Sequence, residues 1–249
     1  MISIRALRKR LGKAHVLQGI DLDVAAGEIL ALIGPSGTGK SVLLKHIVGL
    51  LEPDSGAVVV DGHSVPDADA ALLARLRRRM GYVFQDAALL DFLTVAQNLR
   101  LALPDDEYRR NEEAAAARVR NALAMVNLPD DVISKFPGEL SGGMRKRVGV
   151  ARAIIHEPHI LLYDEPATGL DPRNVAAIDE LVLRNRDRFG ATSLIVTHDI
   201  PSVHRVADRV VLLAEGRVRF MGTPRELVET DDEYVRNFLF YTRRKHEHV

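Results

Sequence analysis

The loop at residues 34–41, with the sequence Gly-Pro-Ser-Gly-Thr-Gly-Lys-Ser, limits the possible folds more than any other stretch of the chain. It follows an apolar run at residues 28–33 that is typical of a buried strand, and apolar positions with helical spacing begin after Lys40. Glycines allow such a loop to point its backbone N–H groups inward, and the start of a helix adds positive partial charge. The pattern therefore predicts a strand, a phosphate-binding loop and a helix, because a plain glycine-rich turn would not need the Lys-Ser pair.

The remaining apolar patterns alternate between strand-like runs and helical spacing. Strands are predicted at residues 16–24, 57–60, 160–163 and 192–197, and helices at residues 111–127 and 175–188. Because strands alternate with helices, we expect a largely parallel sheet that is covered on both faces. Residues 86–157 are richer in helix signals, and we predict that they form a helical insertion in an α/β domain.

Composition excludes several kinds of function. The 249 residues are 47% apolar, which is enough for a substantial core. Lys and Arg number 34, as do Asp and Glu, so the net charge is zero and we expect no nucleic-acid partner. The absence of cysteine rules out disulfides, thiolate metal sites and a cysteine nucleophile. The basic run at residues 77–79 is interpreted as a solvated helix face.

Membrane-spanning and export signals are not expected in this sequence. No apolar stretch approaches the roughly 18 to 20 residues that cross a bilayer. The N-terminal residues lack the apolar region and the cleavage site of a secretory signal. We therefore expect the chain to stay in the cytoplasm and to reach a membrane only through a partner.

Two carboxylates follow the strand predicted at residues 160–163. Asp164 would hold Mg²⁺, directly or through water, and Glu165 would polarise the water that attacks a γ-phosphate. Alone, the pair could equally be an ordinary polar turn. The loop at residues 34–41 favours the functional interpretation, because Lys40 offers a charge for the β and γ phosphates and Ser41 a hydroxyl for Mg²⁺.

Ser141 precedes a glycine pair and a second helical pattern. It is predicted to cap that helix, whose open backbone amides would attract an anion by roughly 0.3 to 1 kcal/mol when exposed. Taken alone, this segment would be an ordinary capped helix. Its position between the glycine loop and the carboxylates favours a binding role.

In their order along the chain, these motifs resemble those of the ABC ATPase family. The resemblance assigns the Walker A loop to residues 34–41, the Q-loop to Gln85, the signature to residues 140–144, the Walker B aspartate to Asp164, the catalytic glutamate to Glu165, the D-loop to residues 169–171 and the switch histidine to His198. It implies an α/β fold of the ABC-type P-loop NTPases, with a mixed sheet core and an inserted helical subdomain at about 86–157. Residues 1–249 would form a single ABC ATPase domain, with a C-terminal tail at about 223–249.

The resemblance also implies the ligands, ATP and Mg²⁺, and the residues that hold them. The implied ATP-binding residues are Gly34, Pro35, Ser36, Gly37, Thr38, Gly39, Lys40, Ser41 and Val42. The implied catalytic residues are Glu165, His198, Gln85 and Lys40, and the implied Mg²⁺ ligands are Ser41, Gln85 and Asp164.

In that family two copies of the chain face each other head to tail. The signature residues Ser141, Gly142, Gly143 and Met144, together with Asp171 of the D-loop, would then face the partner copy, and the signature would act on the partner's ATP. A lone chain is expected to hydrolyse ATP poorly for this reason.

Two positions depart from the family pattern. An aromatic residue that stacks on adenine usually lies well before the Walker lysine, and the best-aligned position here is Leu11. Met144 stands where glutamine is commonest. We expect weaker or different adenine recognition from the first departure and retained activity despite the second.

Within the family, the sequence is similar to the ATPases of Mla/Mce-type lipid transporters. The similar stretches are residues 140–152, 84–98 and the tail segments 222–227 and 231–239. The implied partners are a second copy of the chain, a membrane permease and an Mce-type lipid-binding protein. The implied location is the cytoplasmic face of the inner membrane, as a peripheral subunit.

Other functions remain open at this point. One is an ABC importer of another substrate, such as an amino acid, and another is a non-transport regulatory ABC protein, which would be expected to lack Glu165 or His198. Chromosome-type ABC proteins are not expected, because they need a long coiled-coil insertion that 249 residues cannot hold. ABC translation factors are not expected either, because they usually carry two such domains and this sequence shows one set of motifs. Phe92 and Leu93 are candidate permease contacts and equally candidate core residues. The stripe of Tyr234, Val235, Phe238 and Leu239 predicts a helix that packs on its own domain or on a partner.

Overall fold

The computed structural model describes residues 1–104 and 111–247 of the chain. Its strands are β1 (Ile2–Leu11), β2 (Ala14–Val24), β3 (Ile29–Ile33), β4 (Ser55–Val60), β5 (His63–Ser64), β6 (Met80–Val83), β7 (Ile160–Asp164), β8 (Thr192–Val196), β9 (Arg209–Ala214) and β10 (Arg217–Gly222). Its α-helices are α1 (Lys40–Ile47), α2 (Ala70–Arg77), α3 (Val95–Arg100), α4 (Glu112–Met125), α5 (Gly142–Ile154), α6 (Pro172–Phe189), α7 (Ile200–Val206), α8 (Pro224–Glu229) and α9 (Glu233–Glu247). The side chains of residues 243–249 lie outside the part of the chain that the structure describes.

A six-stranded sheet forms the centre of the fold, in the order β10-β9-β3-β8-β7-β6. Its neighbouring strands are parallel, apart from β10, which runs antiparallel to β9. All residues of β3, β7 and β8 are buried, as expected for parallel strands that are covered on both faces. A second sheet, in the order β2-β1-β4-β5, is antiparallel. The predicted fold class, an α/β protein with a mixed sheet core, is confirmed.

The central sheet separates layers of the core, and β3 contributes to two of them. Leu30 and Leu32 pack with α1 and the smaller sheet, whereas Ala31 and Ile33 pack with α7, α8 and α9. This alternation follows from the two-residue period of a strand. Helices α3, α4, α5 and α6 share a further core cluster with Leu161 of β7.

Several predicted boundaries differ from the structure. The helix after Lys40 ends at Ile47, because Gly49 adopts a φ of 68°, although the apolar pattern continues to Leu50. Only Arg77 of the basic run belongs to a helix, and its guanidinium donates to the carbonyls of Val48 and Gly49. The interpretation of residues 77–79 as a solvated helix face is therefore wrong in part.

The predicted C-terminal helix is present as α9. Val235 and Leu239 are buried, and they pack with α7 and α8 of the same chain. Tyr234 lies under the guanidinium of Arg219, at 5.7 Å from the ring centroid. Among the described residues, no helix combines the length and the apolar character needed to cross a membrane.

Candidate functional site

The carboxyl ends of four parallel strands meet at one edge of the central sheet. Leu32 of β3 pairs with Val196 of β8, which in turn pairs with Asp164 of β7. Val83 of β6 pairs with Tyr163, one residue before Asp164. The residues just beyond these ends are the glycine loop, His198, Glu165 and Gln85. Sheet register therefore brings four separate sequence motifs to one edge.

The glycine loop at residues 34–39 connects β3 to α1 by a path that excludes larger side chains. A Cβ atom on Gly34 would lie 2.1 Å from the carbonyl oxygen of Leu213, and one on Gly39 would lie 2.7 Å from Leu17 Cδ2. Both glycines have positive φ, as do Gly37 and several turn glycines elsewhere. Contacts with β9 and β2 thus explain why this loop needs glycine, beyond its own turn geometry.

Lys40 lies almost buried at the base of this loop. Its Nζ donates to the carbonyl oxygens of Gly34 and Pro35, each at 2.8 Å. Burial lowers the pKa of Lys40, against the attraction of Glu165 and Asp164. The carbonyl oxygens of the loop therefore hold the ammonium group, and among the described residues Lys40 donates no hydrogen bond to a carboxylate.

The start of α1 differs from the start of the other helices. Helices α2 to α8 each have a side chain that accepts a hydrogen bond from the backbone of the first turn; these caps are Asp69, Thr94, Asn111, Ser141, Asp171, Asp199 and Thr223. The residue at the N-cap position of α1 is Gly39, which has no side chain to accept such a bond. The first backbone N–H groups of a helix have no partner within the helix. At α1 they are left available for an anion, and phosphate suits such a position.

Ser41 and Asp164 form the part of the site that suits a metal ion. Ser41 Oγ donates to Asp164 Oδ1 at 2.8 Å, and the hydroxyl of Tyr82 donates to Asp164 Oδ2 at 3.0 Å. Asp164 is 9% exposed. A hydroxyl and a carboxylate are hard oxygen donors, which fit Mg²⁺. Gln85, the third predicted ligand, is exposed just beyond β6.

Glu165 adopts a left-handed backbone conformation, with a φ of 50°. Its Oε2 lies 3.5 Å from His198 Nδ1 and accepts a hydrogen bond from Thr168 Oγ1 at 2.9 Å. The interaction with His198 is the main reason that the pKa of Glu165 falls to about 2, with a further contribution from Thr168. The same pairing raises the pKa of His198. Glu165 is therefore a carboxylate at neutral pH, in a backbone conformation that non-glycine residues seldom adopt.

Ser141 caps α5 as predicted, since its Oγ accepts a hydrogen bond from the backbone of Met144 at 3.2 Å. Gly143 packs closely on Asn174 of α6, where a Cβ atom would lie 2.9 Å from Asn174 Oδ1. Asn174 is in turn bonded to Asp171, which caps α6. The structure thus joins the signature segment to the start of α6, the position of the predicted D-loop.

Sequence reasoning missed three side chains that connect these parts. Tyr82 bonds to Asp164, Thr168 bonds to Glu165, and Lys146 of α5 donates to the backbone carbonyl of Thr168. Only the contact of Thr168 could have been suggested by the local sequence, because Thr168 lies three residues after Glu165. The other two contacts join residues far apart in sequence, so no local pattern indicates them.

The two residues that depart from the family pattern, Leu11 and Met144, lie in different surroundings. Leu11 ends β1 and is 43% exposed, so its side chain is accessible at the surface. Met144 is half-buried and packs against the core cluster of α3 to α6. Phe92 is 75% exposed, which excludes it from the core, whereas Leu93 is half-buried.

The sequence model of the ABC transporter family matches residues 17–168 of the chain. The chain is 39% identical over 239 residues to the probable ribonucleotide transport ATP-binding protein mkl of Mycobacterium leprae, covering 96% of this chain and 68% of that protein. It is 40% identical over 225 residues to the sulfate/thiosulfate import ATP-binding protein CysA of Caulobacter vibrioides, covering 90% of this chain and 65% of that protein. For the methionine import ATP-binding protein MetN of Brucella abortus, the identity is 38% over 222 residues, with coverage of 89% and 59%. The chain thus spans about two thirds of the length of these curated relatives, or less.

Solved structures with the same fold include the dimeric, post-hydrolysis state of the ATP-binding cassette MJ0796 bound to ADP and Pi. That structure aligns with a TM-score of 0.83 at 32% identity, over 90% of this chain and 99% of the other. A second is cbiO1 from Clostridium perfringens, part of the ABC transporter complex cbiONQ, with a TM-score of 0.79 at 33% identity over 95% of this chain and 93% of the other. Since the family model, the relatives and the fold agree, the chain belongs to the ABC transporter family and carries its ATPase domain.

Proposed function

We propose that this chain is the ATP-binding and ATP-hydrolysing subunit of an ABC transporter, and that it drives lipid transport through a membrane permease of Mla/Mce type. The observation that supports the hydrolytic part best is the joint position of Ser41, Asp164, Glu165 and His198 at one sheet edge. These side chains include a hydroxyl–carboxylate pair that fits a metal and a separate carboxylate paired with an imidazole. Phosphoryl transfer needs both functions side by side.

The glycine loop would bind the phosphates of ATP, its substrate. Residues 34–42 supply backbone N–H groups, and the ammonium of Lys40 adds a positive charge for the β and γ phosphates. When ATP binds, Lys40 Nζ would exchange its hydrogen bonds to the Gly34 and Pro35 carbonyls for bonds to phosphate oxygens. The side chain would need only a small movement to do so. Leu11 cannot stack on adenine as an aromatic ring would, so base recognition would depend on other contacts.

Ser41, Asp164 and Gln85 would hold Mg²⁺, which when bound neutralises charge on the phosphates. Glu165 would orient and polarise the attacking water, because its low pKa keeps it ionised and its oxygens can accept a hydrogen bond from that water. His198 would hold Glu165 in position and respond to the γ-phosphate. Gln85 is exposed just beyond β6. A change in its position when nucleotide binds would be passed to the adjoining residues 86–98.

Two copies of the chain would enclose two ATP molecules, as the head-to-tail arrangement of the family implies. The signature residues Ser141, Gly142, Gly143 and Met144 would act on the partner's ATP, with Asp171 close to the same interface. Support comes from the helix start at Ser141, whose amides can receive an anion, and from the similarity to a cassette whose structure is dimeric. ATP would therefore stabilise the closed dimer, and hydrolysis would release it.

A direct test compares Mg²⁺-dependent ATP hydrolysis of the wild-type chain and a Ser41→Ala variant, each assembled with its permease. We expect turnover to fall at least tenfold in Ser41→Ala. Ser64→Ala is a matched control, because Ser64 also donates to a carboxylate, that of Asp67, but in β5 of the smaller sheet. Equal turnover in wild type and Ser41→Ala would remove Ser41 from the metal site.

The lipid assignment is supported by the sequence similarity of residues 84–98, 140–152 and the C-terminal tail to Mla/Mce-type ATPases. The relatives carry names for different cargoes, namely ribonucleotide, sulfate or thiosulfate, and methionine. An importer of one of these solutes is therefore the competing proposal. A non-transport regulatory role is less favoured, since Glu165 and His198 are both present and paired.

Affinity purification from gently solubilised membranes separates these proposals. Mass spectrometry of the purified complex should find a permease, an Mce-type lipid-binding protein and bound lipid. A permease with a soluble receptor for an anion or an amino acid would contradict the lipid assignment and retain the ATPase. In either case the chain would be a peripheral subunit on the cytoplasmic face of the inner membrane, held there by the permease.

Residues 86–157 are proposed to form a helical subdomain, and residues 223–249 a C-terminal tail. Val235 and Leu239 of the tail helix α9 pack against α7 and α8 of the same chain. This contact favours packing of the tail on its own domain. A role in dimer formation is tested by deleting residues 233–249. If dimerisation and the ATPase activity of the assembled complex are unchanged, the tail has no role in dimer formation and serves only to pack on its own domain.

A further inference from the structure

Tyr82 lies at the end of β6, where its side chain crosses to the neighbouring strand β7. It is in register with Leu162, two residues before Asp164. Its hydroxyl is 3.0 Å from Asp164 Oδ2, and the side chain is half-buried. This distance is at the long end of the range for an O–H···O hydrogen bond, and the acceptor is a carboxylate oxygen.

Both oxygens of the Asp164 carboxylate are thus bonded to different elements. Ser41 of α1 donates to Oδ1 and Tyr82 of β6 donates to Oδ2. A carboxylate rotates easily about its last bond when only one oxygen is held, because that torsion is broad. Two donors on opposite sides fix its plane, so that Oδ1 is the oxygen that faces Ser41.

We propose that Tyr82 is a positioning residue for Mg²⁺: it occupies Asp164 Oδ2 and thereby keeps Oδ1 directed, together with Ser41, toward the metal. The inference rests on the proposed function, because it presumes that Asp164 and Ser41 bind Mg²⁺. Outer-shell partners of metal ligands commonly change metal affinity by about 10- to 100-fold when removed. Tyr82 of β6 would be such an outer-shell partner, because it donates a hydrogen bond to the predicted metal ligand Asp164.

The ring of Tyr82 makes a second contact that must be kept apart from the first. It packs on Phe84 with ring centroids 4.3 Å apart and planes tilted by 36°. Phe84 directly precedes Gln85, the predicted Q-loop residue. Tyr82→Phe removes the hydroxyl and retains this ring contact, so the variant isolates the bond to Asp164.

Tyr163 offers a matched control on the adjacent strand. It is fully buried one residue before Asp164, and its hydroxyl accepts a hydrogen bond from Asn185 instead of contacting the carboxylate. Tyr163→Phe therefore removes a phenol hydroxyl from the residue next to Asp164 in β7 while leaving both donors to that carboxylate in place. A general loss of rigidity in β6 and β7 would affect both variants, whereas loss of positioning would affect only Tyr82→Phe.

The experiment titrates Mg²⁺ into the full-length chain in the presence of a fluorescent ATP analogue and records binding without turnover. We expect the apparent Mg²⁺ dissociation constant to rise about tenfold in Tyr82→Phe. Binding of the analogue in EDTA should stay unchanged, as should the Mg²⁺ constant of Tyr163→Phe. Thermal unfolding of each variant shows that the chain is folded.

Two results would overturn the proposal in different ways. An Mg²⁺ constant within twofold of wild type in Tyr82→Phe would exclude a positioning role for the hydroxyl. An equal rise in Tyr163→Phe would assign the effect to the packing of the strands. If the wild-type chain shows no Mg²⁺-dependent binding of the analogue, the proposed function itself fails, and this outcome is distinguishable because it needs no variant.

Discussion

Nδ1 of His198 lies 3.5 Å from Oε2 of Glu165, so the predicted switch histidine and the predicted catalytic carboxylate form one pair, which carries opposite charges when His198 is protonated. The pair joins the end of β8 to the end of β7, which are neighbouring strands. It lowers the pKa of Glu165 and raises that of His198. The protonation of each residue therefore depends on the presence of the other.

This dependence can be measured by NMR titration of the imidazole. We expect the pKa of His198 to lie above 6.5 in the wild-type chain and to move back toward 6.5 in Glu165→Gln, because the main cause of the shift is the interaction with Glu165. An unchanged His198 midpoint in Glu165→Gln would contradict the pairing.

The same pair predicts how stability varies with pH. The raised pKa of His198 contributes stability that is complete below pH 6.5 and is lost as pH rises through the folded-state pKa. The lowered pKa of Glu165 contributes stability that is present above pH 4.5 and is lost as pH falls toward 2. Denaturant unfolding at several pH values should therefore show both dependences weakened in His198→Gln, and a wild-type profile in that variant would refute this account.

Glu165→Gln is expected to slow ATP hydrolysis by roughly 100-fold or more, because general-base catalysis commonly contributes at least that factor. ATP should then hold the chain as a closed dimer, detectable by size-exclusion chromatography with light scattering. Glu180→Gln is the control, since Glu180 pairs with Arg184 on the exposed face of α6. Full turnover in Glu165→Gln would remove Glu165 from the role of base.

Gly81→Ala is expected to destabilise the fold without any contact to ATP. A Cβ atom at Gly81 would lie 2.2 Å from the carbonyl oxygen of Ala153, so β6 and α5 would have to separate. Overpacking of this kind typically costs about 1 to 3 kcal/mol in the free energy of unfolding. Gly138→Ala, where the added Cβ meets no atom within 4 Å, is the control. Equal denaturation midpoints for the two variants would contradict the contact.

The position of Gly81 also shows why part of the fold was not predictable from sequence. Strand β6 has four residues, one of them glycine, so its pattern is too short to identify. The glycine is required by α5, which lies about seventy residues later and is brought close only by the tertiary structure. By contrast, β3, β7 and β8 each contain an uninterrupted run of at least three apolar residues, and the sequence predicts them.

Strand β1 was missed for a local reason. Its alternation of Ile2 and Ile4 is interrupted at Ala6, which has a φ of 45°, and its register with β2 shifts before Leu7. A bulge of this kind breaks the two-residue period on which strand prediction depends. In the site, the motif residues were predictable because their chemistry is local, whereas the bond from Tyr82 to Asp164 depends on the order of strands.

Phe92→Ala is expected to weaken assembly with the permease. Phe92 is 75% exposed, and it is one of the two side chains that the sequence names as candidate permease contacts. Nucleotide binding by the chain alone should be unchanged. Leu50→Ala is the control, because Leu50 is 55% exposed just after α1. Co-purification of the permease with Phe92→Ala at the wild-type yield would contradict the assignment.

The order of strands has a consequence for the newly made chain on the ribosome. Strand β8 lies between β3 and β7, yet it is synthesised after both. Until residues 192–196 have emerged, the glycine loop and the two carboxylates belong to segments that have no shared neighbour in the sheet. Because domains generally fold as units during synthesis, we expect a nascent chain that ends before β8 to be unable to assemble the complete site. The late strand thus delays ATP turnover until the ATPase core is nearly complete.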